Sequence, residues 1–359
     1  MGQEYIALKK IAQLFGGKDA ALVKDQILAL EQSSMIPKST RTQMGALFGR
    51  SWKYDDLAAI GAQVGFFKKF DRPMALSVFT TKGGVLKSTL ALNLARLAAL
   101  HGMKVCVVGL DIQGDITNAL GFEADVDESS DLQGVLARLG QTKGLSELFS
   151  RSTTLESLIV PTDLKNLQLI PETPELAALN DTLMNVNRRE YWLKEQVIDP
   201  LKRYYDLVIM DCSPNWNRLT TNALVACDAL VSPLECKINN FRNFKVFRGF
   251  LTEFKRDMRL EFETVFVPTR YSLNRKLSLD IRDWYQQNIE GCTSVGIKEA
   301  LLGEEAVAMH RSIIEQDPYN AMSMEVMALF KEVHDRLCQV RPRTTVQSHS
   351  HFEENSAWR

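Results

Sequence analysis

The chain has 359 residues, enough for two domains, one of them with a full α/β core. Its 45% apolar and 24% charged residues exclude the compositions of disordered and fibrous chains. A formal net charge of −1 excludes global attraction to polyanions, so any nucleic-acid contact must come from a local patch. The six cysteines (Cys106, Cys212, Cys227, Cys236, Cys292 and Cys338) show no CxxC or metal-ligand spacing, which predicts reduced, buried thiols. Met1 to Lys10 lacks a signal-peptide core, and no run of about 18 apolar residues occurs. A cytoplasmic protein is expected.

Residues 1–72 predict a small unit of their own. Tyr5 to Phe15 has helical apolar spacing and stops at Gly16-Gly17. Lys18 to Glu31 predicts a second helix, with Leu22, Val23, Ile27, Leu28 and Leu30 as its apolar face. Ile36 to Gln43 is polar and basic, and Asp55 to about Phe67 predicts a third helix. The segment holds eleven Lys/Arg against seven Asp/Glu. Short helices around a basic hairpin-like stretch resemble the winged helix-turn-helix of the MerR type. An all-helical or winged-helix domain is therefore expected. It either contacts DNA phosphates through Lys38, Arg41, Arg50 and Lys53 or serves as a dimerisation module. Phe66 to Pro73 is the expected linker.

The apolar run Ala75–Phe79 predicts a buried strand, and Leu90–Ala98 predicts a helix packed on a sheet. Between them lies Thr80-Thr81-Lys82-Gly83-Gly84-Val85-Leu86-Lys87-Ser88-Thr89. Strand, glycine loop and helix form a phosphate-binding loop, where backbone N–H groups and the positive end of a helix converge on phosphate oxygens. Lys87 is placed to reach the β- and γ-phosphates and Ser88 to ligate Mg²⁺. Leu86 stands where the usual pattern, GxxxxGK[ST], has its last glycine, and a leucine with positive φ costs roughly 1 kcal/mol or more.

Lys104–Leu110 predicts another central strand with Asp111 emerging at its C-terminal end, where ligands bind in open α/β sheets. Residues 123–160 are acidic and helical in places, Leu167–Pro171 predicts a short strand, and helices are expected at Pro174–Met184 and Tyr191–Lys202. Tyr205–Asp211 has the Walker B form, an apolar strand ending in a carboxylate that holds Mg²⁺. Leu219–Leu224 predicts a helix and Ala229–Leu234 a further parallel strand. Thr264–Pro268 predicts a strand running into a basic turn with Arg270, Arg275 and Lys276. An amphipathic helix follows at about Asn320–Leu337, packed against the sheet, and a polar tail at 341–359 is expected to be disordered.

Lys82-Gly83-Gly84-Val85-Leu86-Lys87-Ser88-Thr89 resembles the deviant Walker A motif, KGGVGK[ST]T, of the ParA/MinD group of P-loop ATPases. Three further places carry the resemblance, the last of them the strand Thr264–Pro268, whose following loop it implies helps to hold the adenine. Gly109-Leu110-Asp111-Ile112-Gln113-Gly114 is similar to DxDPQG, with Gly109 in place of the first aspartate and Ile112 in place of the proline. Leu219-Thr220-Thr221-Asn222-Ala223-Leu224 is similar to LTxNAL. The resemblance covers about residues 74–340 and points to the larger plasmid-partition ATPases of the ParA type, which carry an N-terminal helix-turn-helix domain. It implies a P-loop NTPase fold, a mostly parallel sheet flanked by helices, over 73–340. ATP and Mg²⁺ are the implied cofactors, bound by residues 82–89, with Ser88 and Asp211 at the metal. Lys82 is expected to reach the nucleotide of a partner subunit in an ATP-dependent homodimer, and Asp111 to position the attacking water. With Lys87 they form the expected catalytic set.

The implied activity is slow ATP hydrolysis by a nucleoid-associated dimer that binds DNA nonspecifically and positions a cargo with a ParB-like adaptor. Arg270, Arg275, Lys276, Lys298 and Arg311 are the expected contacts to DNA on the ATPase domain. Two alternatives stand beside it: a nucleotide-sensing transcriptional repressor with little turnover, and a MinD-like positioning ATPase. The polar tail lacks the basic amphipathic helix of the latter, so no membrane partner is expected.

Overall fold

The computed structural model describes residues 5–44, 47–122, 142–150, 152–299 and 302–340. Most of the acidic stretch after Phe122 and the whole 341–359 tail, expected to be disordered, lie outside the described residues.

The N-terminal unit combines strands and helices: β1 (Tyr5–Ala7), α1 (Leu8–Gly16), α2 (Ala20–Gln32), the hairpin β2 (Thr40–Met44) and β3 (Leu47–Lys53), and α3 (Leu57–Val64). Its three strands are ordered β1-β3-β2, all antiparallel. Helical spacing from Tyr5 concealed β1, because three residues cannot display a period. They extend because Ile6 pairs with Trp52 of β3, and both are buried. The hairpin-like stretch holds a true hairpin, with Arg41 exposed on β2 and Lys38 exposed just before it.

The rest is built on an eight-stranded sheet. Its strands in chain order are β4 (Met74–Val78), β5 (Val105–Leu110), β6 (Val160–Pro161), β7 (Leu167–Ile170), β8 (Leu207–Cys212), β9 (Ala229–Glu235), β10 (Glu263–Tyr271) and β11 (Ile297–Lys298). In space they run β11-β10-β9-β4-β8-β5-β7-β6, parallel throughout except for the β6–β7 pair. Strands covered on both faces are near-continuously apolar, and β4, β5 and β8 are buried along their whole length.

Alternate residues feed two cores. Leu76, Val78, Val105, Val107, Leu207 and Ile209 face α4 (Lys87–Leu100) and the C-terminal helix Ala321–Cys338. Ala75, Cys106, Val108, Val208 and Met210 face Arg218–Ala226 and the long helix Ile238–Asp257. The first core continues without a break into Ile11, Phe15, Trp52 and Ile60, so the N-terminal unit shares its apolar interior with α4. Gly61 of α3 permits that approach: a Cβ there would lie 2.1 Å from the carbonyl oxygen of Leu100. Cys338 is exposed, and the other five cysteines are buried free thiols. Among the described residues, no helix is long and apolar enough to cross a membrane.

Candidate nucleotide site

Three neighbouring strands deliver the site. Val78 at the end of β4 is in register with Asp211 of β8, and Asp211 is in register with Gly109 of β5. All three strands end at one edge, and the loop of residues 79–86 leaves β4 there and closes on the first turn of α4. Lys87 is buried, and its Nζ donates to the Lys82 carbonyl at 3.3 Å, so the ammonium lies across the loop's concavity. Leu86 adopts φ 72° and ψ 31°, the left-handed region, and its carbonyl accepts the Leu90 N–H at 2.9 Å. The strain foreseen for a non-glycine residue at this place is present in the backbone.

β10 braces the loop from the other side. The Thr269 hydroxyl donates to the Val85 carbonyl at 3.3 Å, and the Arg270 guanidinium donates to the Gly84 carbonyl at 2.7 Å. Arg270 also pairs with Glu299 at 3.0 Å. Gly83 is exposed, whereas Ser88 and Thr89 are half-buried at the start of α4. The Lys82 ammonium has no hydrogen bond or ion pair among the described residues. Its side chain lines a small recess with Asn240, Asn243, Phe244 and Phe247 of the helix Ile238–Asp257.

Asp211 is fully buried, and neither of its carboxylate oxygens meets a well-formed hydrogen bond. Burial raises its carboxyl to about 7; the Ser88 hydroxyl and the Lys87 ammonium oppose that rise, and Asp111 and Asp115 reinforce it. A buried carboxylate with no well-formed hydrogen bond, beside a serine at a helix N-terminus, fits a hard divalent cation. No cluster of three His, Cys, Asp or Glu ligands occurs among the described residues, so phosphate oxygens and water would have to complete the shell. Asp111 is buried at the end of β5, with Oδ1 accepting the Gln113 N–H at 3.2 Å.

Beside Ser88 and Thr89 opens a cavity of about 450 Å³, walled by Leu86, Asn118, Ile297 and Met322. Its volume and largely apolar wall suit a nucleoside lying alongside α4.

The basic residues singled out in the sequence are scattered. Lys298 pairs with Glu325 at 3.1 Å, and Arg311 pairs with Asp163 at 3.3 Å while lying 4.2 Å from the centroid of the Tyr54 ring. Arg275 and Lys276 are exposed at the start of the helix Lys276–Asn288. Sequence reasoning missed the helix Ile238–Asp257, whose exposed face carries Arg242, Lys245 and Arg248. The signal was there in Asn240, Phe244, Phe247 and Leu251, its buried residues at helical spacing.

A family model described as an AAA domain matches residues 74–263, more than half of the chain. The chain is 33% identical over 162 residues to the chromosome partitioning protein ParA of Myxococcus xanthus. That alignment covers 45% of this chain and 52% of the relative, so the match spans about half of that protein's length. Among solved structures, a putative plasmid partition protein of Borrelia burgdorferi B31 bound to AMPPNP is similar, with a TM-score of 0.56 and 20% identity over 72% of this chain and 100% of that one. So is cobyrinic acid a,c-diamide synthase of Mycobacterium smegmatis with bound ATP analogue and magnesium, with a TM-score of 0.55 and 22% identity over 74% of this chain and 94% of that one. At these identities the structures establish the fold alone. The family match and the two-lysine loop at its expected place between β4 and α4 carry more: this chain belongs to the ParA/MinD-type P-loop ATPases.

Proposed function

We propose that the protein is a DNA-partition ATPase that binds ATP with Mg²⁺, dimerises around it, and hydrolyses it slowly when a ParB-like adaptor engages. One observation carries this reading: the two lysines of one loop have opposite dispositions. Lys87 folds over its own loop, while Lys82 finds no partner among the described residues and is left for a phosphate of a second subunit. Residues 83–89 bind the phosphates through backbone N–H groups and the α4 N-terminus. Ser88 and Asp211 hold the metal, which would neutralise negative charge developing on the phosphate oxygens. Asp111, with Oδ1 turned to Gln113, keeps Oδ2 for orienting a water and accepting its proton. The nucleoside occupies the cavity beside Thr89.

DNA is bound without regard to sequence, as expected of basic side chains on phosphate, and binding weakens with salt. Exposed Arg275 and Lys276 support that contact better than Arg270, Lys298 and Arg311, whose charges are already engaged within the chain. In this reading the protein resides on the nucleoid. The relative in Myxococcus xanthus, a chromosome partitioning protein, favours this cycle over the synthase chemistry of the structural neighbour.

The test compares the wild type with Lys82→Ala in ATP and in ADP, by sedimentation velocity and DNA gel shift. The wild type is expected to be a DNA-bound dimer in ATP alone, and Lys82→Ala a monomer that still binds nucleotide. A wild type monomeric in every nucleotide, or a variant that dimerises equally, refutes the reading. A second reading has its own observation in the exposed Arg41 on the hairpin and the exposed Lys38 just before it. Tight operator binding in any nucleotide, with no turnover, would identify a transcriptional repressor.

A further inference from the structure

A further carboxylate lies behind Asp111. Glu172 follows β7 and is 8% exposed. Its Oε1 accepts the Asp111 N–H at 3.1 Å, and its Oε2 accepts the Thr117 N–H at 3.3 Å and the Thr117 hydroxyl at 3.1 Å. The Glu172 N–H returns a bond to the same hydroxyl at 2.9 Å. One side chain therefore ties both ends of the turn that runs from Asp111 through Gln113 into the helix Asp115–Ala119.

The space it fills exists because residue 109 is glycine. A Cβ at Gly109 would lie 2.2 Å from Glu172 Cγ and 2.7 Å from Cδ, a separation no side chain tolerates. Gly109 is also the position where the resembling DxDPQG motif has its first aspartate, directly across the β5–β8 ladder from Asp211. A carboxyl group carried just beyond β7 thus fills the space beside Gly109.

We propose that Glu172 is a positioning residue for Asp111, entering from β7 into the space left open at Gly109 and fixing the turn that carries Asp111. The catalytic consequence rests on the hydrolysis reading above; the spatial exchange between positions 109 and 172 does not. A turn released at both ends lets Asp111 drift, and misplacement by about 1 Å costs on the order of a hundredfold in rate at a well-organised site.

Four proteins decide it: the wild type, Gly109→Asp, Glu172→Ala and the double variant. Three measurements are made on each: Tm without nucleotide, amide hydrogen exchange, and ATP affinity with kcat. Gly109→Asp alone is expected to have the lowest Tm, because its side chain meets Glu172. Glu172→Ala is expected to lose protection at the Asp111 and Thr117 amides. Its ATP affinity should stay within about threefold of wild type while kcat falls at least about tenfold. The double variant should regain Tm over Gly109→Asp and recover most of the lost kcat. Additive Tm losses, unchanged exchange at Asp111 and Thr117, or full kcat in Glu172→Ala would each overturn the proposal. A wild type that binds ATP but never hydrolyses it would refute the hydrolysis reading instead, and the Tm and exchange results still judge Glu172.

Discussion

Leu86 offers a direct test of the loop's backbone. Its φ of 72° lies where an L-residue suffers contact between Cβ and the following carbonyl, a cost of about 1–2 kcal/mol. Glycine avoids that cost but loses more backbone freedom on folding, about 0.4–1 kcal/mol relative to alanine. Replacement by alanine and by glycine removes the same γ and δ carbons from the half-buried side chain, so lost packing cancels between the two. What remains is strain less entropy, and Leu86→Gly should be more stable than Leu86→Ala by about 1 kcal/mol or somewhat less. For a chain of this size that corresponds to a Tm difference of about 1 °C, within reach of replicate differential scanning calorimetry without nucleotide. The wild type should exceed Leu86→Ala as well, because its side chain packs on the core and walls the cavity beside Thr89. An alanine variant as stable as the glycine variant, or more so, would refute a left-handed residue at this position.

Two further outcomes follow from buried polar groups. Arg96, fully buried, bonds Glu315 at 2.8 Å and Asp163 at 2.8 Å, and donates to the Tyr54 hydroxyl at 2.7 Å; the Arg96 guanidinium holds the Glu315 carboxyl down to about 2 against the opposing effect of burial. Arg96→Met should therefore cost about 3–5 kcal/mol in urea unfolding, since it takes from a buried carboxylate its principal cationic partner, whereas Tyr54→Phe should cost only about 1–2 kcal/mol; a loss under about 1 kcal/mol for Arg96→Met contradicts this. His101 is buried among Phe15, Phe66 and Phe67, and burial lowers its imidazole to about 4 against the opposing bond to the Leu97 carbonyl. Its unfolded form takes up a proton near pH 6.5, so its contribution is complete above that pH and is lost as pH falls toward 4. Asp211, raised to about 7, has the opposite sign, which is why the wild type must be compared with His101→Gln. The wild type should lose about 2 kcal/mol more than the variant between pH 7.5 and 5, and parallel curves would show that His101 is not buried neutral.

The sheet was legible because a parallel strand covered on both faces reads as a near-continuous apolar run, and β4, β5 and β8 are such runs, with a shorter apolar stretch inside β9 and β10. The phosphate loop was legible for a different reason: its chemistry needs particular residues at fixed spacing, with Asp211 one strand away. Elements too short to show a period, β1 and β11, were not. The helix Ile238–Asp257 was hidden by its composition, since aromatic residues interleaved with Arg and Lys dilute the apolar stripe that Phe244, Phe247 and Leu251 form. Charge was the least legible property. In sequence Arg270, Arg275 and Arg311 are alike, and only the fold shows that Arg270 braces the loop, Arg311 lies on Tyr54 and Arg275 faces solvent. Glu172 could not be recognised alone, because its place depends on what Gly109 lacks.

Arg96 also explains how the N-terminal unit is joined to the ATPase. An apolar face alone would let α3 slide or rotate on α4, because burial has no direction. Lys87 and Arg96 lie nine residues apart on one rigid helix, about 14 Å along its axis. At one end α4 presents N–H groups to the phosphate loop. At the other, Arg96 binds Tyr54 of the N-terminal unit and Glu315 of the C-terminal segment, while between them Asn93 Oδ1 accepts the Ile313 N–H at 2.8 Å. A well-packed apolar replacement for such a network can be as stable, so its value lies in direction: each bond is satisfied at only one rotation of the helix. The rotation that seats Arg96 is the one that aims the start of α4 at the loop, and the two units are held in the register the site requires.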